Sequence, residues 1–136
     1  MILSEAFEKL RARHTDTPGQ RPLPSSDDVD DVEAELGVTL PPDFRRYLLE
    51  VSDVAVGTLE PATLDGAGSH THLLDVFRSA RAYGVPNELL PFCEDNADFY
   101  CFNSMGEIEY WSHNGATDEH WPDLATWIED IWLGGG

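Results

Sequence analysis

The stretch from Leu89 to His113 constrains what this chain can fold into more than any other. It holds three short runs of aromatic, branched and thiol residues: Leu89 to Cys93, Phe99 to Asn103 and Ile108 to His113. Glu-Asp-Asn-Ala-Asp and Ser-Met-Gly, both turn compositions, separate the runs, and the pattern predicts an antiparallel meander. Side chains alternate along a strand, so Phe99 and Cys101 point to one face and Tyr100 and Phe102 to the other. Both faces are apolar, and helices must cover at least one of them.

The rest of the chain supplies helices at the right period. Leu3, Phe7 and Leu10 mark a short amphipathic helix near Leu3 to Arg13. Thr15 to Ser26, with its three prolines and a glycine, reads as a loop that would leave this helix loosely attached. Ser25 and Asp28 form a capping-box pair ahead of Val29, Val32 and Leu36, and Gly37 can end that helix in a left-handed conformation. Pro42 suits the first position of a further helix with Phe44, Tyr47, Leu48 and Val51 on one stripe. Val54 to Leu64 is expected as a first strand and Asp65 to Ser69 as a glycine-rich turn. Leu73, Phe77 and Ala80 lie on one face of a helix reaching Gly84. Trp121-Pro122-Asp123 should open a C-terminal helix with Leu124, Trp127, Ile128 and Ile131 turned inward, ended by Gly134 to Gly136.

At 136 residues one domain suffices, and the formal net charge of -18 is unevenly spread. The last Lys or Arg is Arg81, and from Ala82 onward there are 11 acidic residues with no cation among them. Such a surface repels nucleic-acid phosphates and anionic membranes and attracts basic partners. Part of the acidity has plainer uses: solubility, and helix N-terminal carboxylates such as Asp27 and Asp28, worth about 0.3 to 1 kcal/mol each. No basic leader precedes an apolar run at the N-terminus, and no apolar stretch approaches roughly 18 residues, so a soluble cytoplasmic protein is expected.

Chemistry is sparse. His70-x-His72 has no third ligand at metal spacing and reads as a pair of surface histidines; His113, Asp118 and His120 likewise match no ligand motif. Asp95, Asn96 and Asp98 lack the glycine and terminal glutamate of a calcium loop and read as a turn, and Gly66 and Gly68 belong to no phosphate loop. No cofactor or metal is expected. Glu107 and Glu109 share a strand face and could form an acid/base pair, but a polar outer face accounts for both. Cys93 and Cys101 sit on neighbouring strands as half-buried free thiols without a catalytic motif, so no enzyme is expected. Among the tryptophans, Trp127 reads as core, Trp132 as core or surface, and Trp111 as a candidate interface anchor.

The run Val32-Glu33-Ala34-Glu35-Leu36-Gly37-Val38-Thr39-Leu40-Pro41-Pro42-Asp43-Phe44-Arg45-Arg46-Tyr47-Leu48-Leu49 closely resembles the opening signature of the SMI1/KNR4 family, or SUKH superfamily. Leu90-Pro91-Phe92, Asp95 to Phe102 and Gly106 to His113 resemble its sheet, and Leu124 to Ile131 its closing helix. The resemblance covers about Ser26 to Leu133 and leaves the first helix, within residues 1–14, outside it. It departs at Ser52-Asp53, where the family often has Asn-Gly or Gly-Gly, and at Ala97, where glycine is frequent. The resemblance implies a single α+β domain with a bent, largely antiparallel sheet, N-terminal helices and a C-terminal helix packed on it. It also implies a noncatalytic binding role. Bacterial members resemble immunity proteins that neutralise a cognate toxin, often a nuclease or deaminase, and fungal members are linked to cell-wall regulation and signalling.

The function expected is therefore an immunity protein that occludes the active site of a basic toxin, with a regulatory protein-interaction module as the alternative. The charge asymmetry places the partner surface in the C-terminal half. It falls on Glu94, Asp95 and Asp98 in the first meander turn, on Glu107, Glu109 and Trp111 of the strand, and on Asp118 and Glu119 in the next loop. Glu107 and Glu109 are expected to face solvent, and the acidic helix Asp27 to Glu35 is the rival surface.

Overall fold

A computed structural model describes residues 2–14, 23–57, 59–64 and 71–135. The expectations for Thr15 to Pro22, for the turn at Asp65 to Ser69 and for His70 lie outside the described residues.

Helix α1 (Leu3–Arg13) buries Leu3, Ala6, Phe7 and Leu10, the stripe its spacing predicts. It is firmly docked, not loosely attached. Arg11 donates to both carboxylate oxygens of Asp53 at 2.9 Å and to the Glu50 carbonyl, and Arg13 donates to the Leu133 carbonyl at 2.8 Å. Helix α2 (Ser26–Leu36) starts with the reciprocal Ser25/Asp28 capping box and ends at Gly37 with φ 71°, where a residue with a Cβ is strained. Pro42 opens α3 (Pro42–Glu50), and Glu33 fixes the corner between the two helices by accepting from the Leu40 amide at 2.7 Å and from Arg45 at 2.9 Å. Arg45 also holds Asp30 at 2.8 Å, so part of the acidic face of α2 is answered within the fold.

His72 caps α4 (Leu73–Ala82) by accepting from the Leu74 amide at 3.2 Å. It is buried, not a surface histidine. Val54 to Leu64 does not form a sheet strand: among its described residues only two isolated bridges occur, Pro61 with Cys93 and Thr63 with His72. Proline has no amide to donate to a ladder, and the segment meets β1 through the bond from the Ala62 amide to the Phe92 carbonyl.

Four antiparallel strands follow in the order β1-β2-β3-β4: β1 (Leu90–Asp95), β2 (Asp98–Phe102), β3 (Ile108–Ser112) and β4 (Gly115–Trp121). The first three are the expected meander. The fourth replaces the loop expected to carry Asp118 and Glu119. It also takes Trp121, so the C-terminal helix begins at Leu124 with Asp123 as its cap and Pro122 outside it.

That helix is not uniform. One α turn, α5 (Leu124–Trp127), passes into a π-helical stretch over Ile128–Trp132 and then a last turn over Leu133–Gly135. The wider i→i+5 repeat turns Trp127 and Trp132 to the same side, with ring centroids 6.2 Å apart, and leaves Ile131 half-buried where an α-helix would have pointed it inward. Trp132 is thereby core, donating its indole N–H to the Val56 carbonyl at 2.9 Å.

The main core lies between one sheet face and helices α3 and α5. Phe92, Tyr100 and Phe102 meet Phe44 and Trp127 there at ring separations of 4.9 to 5.8 Å. On the opposite face Phe99 and Cys101 are fully buried, with α4 packed against β1 and the Tyr83 ring 6.0 Å from Phe99. Cys93 and Cys101 are free and completely enclosed, where half-burial was expected. Burial pushes the Cys101 thiol up to about 12, against the pull of Arg81, and raises Cys93 further.

Candidate partner-binding surface

The expected site residues separate into two groups at opposite ends of the sheet. The first surrounds the β1–β2 connection, which is a two-residue turn with φ 52° at Asn96 and 72° at Ala97. Glu94 pairs with Phe99 and Asp95 with Asp98, so Glu94 and Asp95 close β1 and Asp98 opens β2. Asp98 serves the fold: it accepts from the Tyr110 hydroxyl at 2.7 Å, from the His113 amide at 2.8 Å and from the His113 ring at 2.9 Å. Burial works against its charge, but these donors outweigh it and hold the carboxyl below its ordinary value. Beside this turn a hollow of about 420 Å³ has Leu59, Val76 and Thr71 in its lining together with Glu60, Glu94 and Asp95.

The second group gathers on Asn103, whose side-chain amide donates to Glu107 at 3.2 Å and to Glu109 at 2.9 Å, while His120 meets Glu107 at 3.2 Å. Glu107 stands just before β3, and both glutamates are half-buried rather than solvent-facing. The donors Asn103 and His120 draw the Glu107 carboxyl below its usual value. The two histidines of the His113, Asp118 and His120 group answer carboxylates at opposite ends of the sheet.

Trp111 lies between the groups. One row of Cα partners, Glu94, Phe99, Trp111 and Ala116, crosses all four strands on the face that also carries Glu109 and its partner His120. Asp118 and Glu119 sit on β4 where its register against β3 shifts, both exposed. Tyr83, which the sequence reading passed over, is 52% exposed although it packs on buried Phe99. Only the position of Phe99, distant in sequence, marks it. A second groove, about 440 Å³, runs between the α2–α3 corner and the β2–β3 turn, lined by Leu40, Pro41, Phe77, Leu90, Phe102 and the 76% exposed Met105.

Among the described residues no group of three or more His, Cys, Asp or Glu is placed to hold a metal ion, and no helix is long and apolar enough to cross a membrane. Arg81, the last cation of the chain, is committed to the carbonyls of Val85, Pro86 and Leu89. On the β3–β4 side, histidine is the basic group that the described residues set against the carboxylates.

The sequence profile of SUKH_5, described as SMI1-KNR4 cell-wall, matches residues 3–133. This chain belongs to the SMI1/KNR4 family. The match takes in α1, which the resemblance read from motifs left outside. A crystal structure of a protein from Pseudomonas syringae pv. tomato superposes with a TM-score of 0.91 at 38% identity, covering 96% of this chain and 98% of that one. No curated protein matches the chain. SMI1/KNR4 membership implies protein–protein interaction, and so directs attention to the surfaces above rather than to a catalytic pocket.

Proposed function

We propose that this SMI1/KNR4 domain is a noncatalytic immunity protein. It binds a cognate bacterial toxin, a basic nuclease or deaminase domain, and occludes its active site. The observation that carries this reading is the one-signed field of the C-terminal half, 11 acidic residues without a Lys or Arg, on a family scaffold whose role is protein binding. A toxin that binds nucleic acid must present a basic cleft, and an acidic surface competes for that cleft by the same electrostatics as phosphate. The chemistry of the candidate residues supports a binding role: both thiols are enclosed and held protonated, and Glu107 and Glu109 are held by Asn103.

The partner surface comprises Glu94, Asp95, Asp98, Glu107, Glu109, Trp111, Asp118 and Glu119. Co-expression with the toxin encoded by the adjacent gene tests the function, with restored growth and a co-purifying complex expected. Failure of both rejects toxin neutralisation. Glu107→Lys combined with Glu109→Lys should slow association and flatten its salt dependence. An association rate insensitive to salt, or slowed only by reversing Asp30, Asp31 and Glu35, moves the interface to α2.

A further inference from the structure

The sheet face around Trp111 has an unusual combination of features. Helix α4 covers it on the β1 side, and Phe99 beneath is fully enclosed. Toward β4 the cover stops. The residue opposite Trp111 on that edge strand is Ala116, whose methyl group leaves the indole half-open to solvent. Tyr83 flanks Phe99 from the α4 side and is 52% exposed, and Trp111 is the cross-strand neighbour of Phe99 on β3, so two large aromatic residues lie on either side of one buried ring. Carboxylates border them: Glu94 lies in the same row as Phe99 and Trp111, and Glu109 is two residues from Trp111 on the same strand face. Asn103 steadies Glu109 through one oxygen, at 2.9 Å. Arg81, the nearest cation in sequence, lies close enough to Cys101 to act on its thiol, but its guanidinium donates to three backbone carbonyls.

We infer that this face is a docking platform for an arginine-bearing segment of a protein partner, with a guanidinium stacked at Trp111 and Tyr83 and paired with Glu109 or Glu94. Charge complementarity selects this occupant. A second copy of the chain would bring carboxylates onto carboxylates at a net charge of -18 per molecule. A purely apolar segment would bury Glu94 and Glu109 without an answering cation. A guanidinium meets both demands at once, because its flat face stacks on aromatic rings while its edge donates to carboxylate; the compact, strongly hydrated lysine head does this less well. The inference deepens the reading of a basic partner given above: it excludes Asp98, which the fold uses, and adds Tyr83.

Titration of the ¹⁵N-labelled protein with tetra-arginine peptide, with tetra-lysine and tetra-glutamate as comparisons, tests it directly. Tetra-arginine should shift Tyr83, Phe99, Glu109, Ala116 and the Trp111 indole N–H, and bind at least threefold tighter than tetra-lysine. Ala116→Arg, at an edge position that leaves the core untouched, should fill the open side of Trp111 and weaken tetra-arginine at least tenfold. Tyr83→Ser should weaken it severalfold. Shifts concentrated on α2, equal binding of the two cationic peptides, or an unchanged affinity in Ala116→Arg would overturn the inference. The neighbouring toxin separates this from the functional reading. A toxin bound equally by wild type and Ala116→Arg rejects the platform and keeps the function, whereas tetra-arginine on this face with no toxin bound keeps the platform and rejects the function.

Discussion

Replacing Ala97 by glycine should stabilise this protein. The β1–β2 turn places Asn96 at φ 52° and Ala97 at φ 72°, both left-handed. For an ordinary L-residue that conformation costs roughly 1 to 2 kcal/mol, because Cβ crowds the following carbonyl; asparagine tolerates it better through its short polar side chain. Glycine carries no such penalty but loses roughly 0.5 to 1 kcal/mol more chain entropy on folding. The difference leaves a net gain of about 0.5 to 1 kcal/mol at Ala97 and close to none at Asn96. With an unfolding entropy of roughly 2.1 cal/mol/K per residue, the gain over a chain of this length is a rise in Tm of about 2 to 4 °C. Calorimetry or circular dichroism melts of wild type, Ala97→Gly, Asn96→Gly and Ala97→Val check it. Ala97→Val should melt below wild type, since a β-branched residue fits the left-handed region worst. A Tm unchanged or lowered in Ala97→Gly would refute the reasoning, and an equal rise in Asn96→Gly would show that turn flexibility rather than strain relief is responsible.

Further outcomes follow from single side chains. Arg81→Met should cost about 2 to 3 kcal/mol in urea unfolding, because three carbonyls leading into β1 lose a charged donor, and Arg81→Lys should recover little of it for want of the planar fork. The depressed Asp98 carboxyl contributes stability that is fully present above its unfolded value of about 3.9 and is lost as pH falls through the folded value. The stability gap between wild type and Asp98→Asn should therefore be constant near neutrality and close below about pH 4; a gap that widens on acidification contradicts this. Cys93 and Cys101 should resist alkylation at about pH 8 in the folded protein and react on unfolding. Replacing either by alanine should cost about 1 to 3 kcal/mol without abolishing partner binding.

Local signals were sufficient wherever one residue type answers one local demand. The Ser25/Asp28 box, Gly37 past the end of α2 and Pro42 at the start of α3 are all placed by backbone needs that the sequence states outright. The first two apolar runs of the meander announce their strands because both faces are largely buried, and buried strands must be apolar, whereas β3 buries Ile108 and leaves the rest of its run half-open. The acidic, cation-free C-terminal half is likewise plain in the sequence, and with it the sign of charge that a partner must bring.

What tertiary structure decided are the features in which a residue's role depends on a distant neighbour. Gly-Ala-Thr-Asp-Glu-His-Trp has little strand propensity, and it becomes β4 because β3 offers an unpaired edge. Val54 to Leu64 looks more like a strand, yet among its described residues it bridges β1 at Pro61 with a backbone bond at Ala62 and forms no ladder, because proline has no amide to donate to one. The π-helical turn exists because Trp127 and Trp132 both belong in the core, and an α-helical period cannot bring residues five apart to the same side. The same dependence governs the surface. In the sequence Asp98 is an acidic turn residue and Glu109 an acidic strand residue, both candidates for the partner surface, and only folding, by aiming Tyr110 and His113 at Asp98 and leaving Glu109 beside a half-open Trp111, separates their roles.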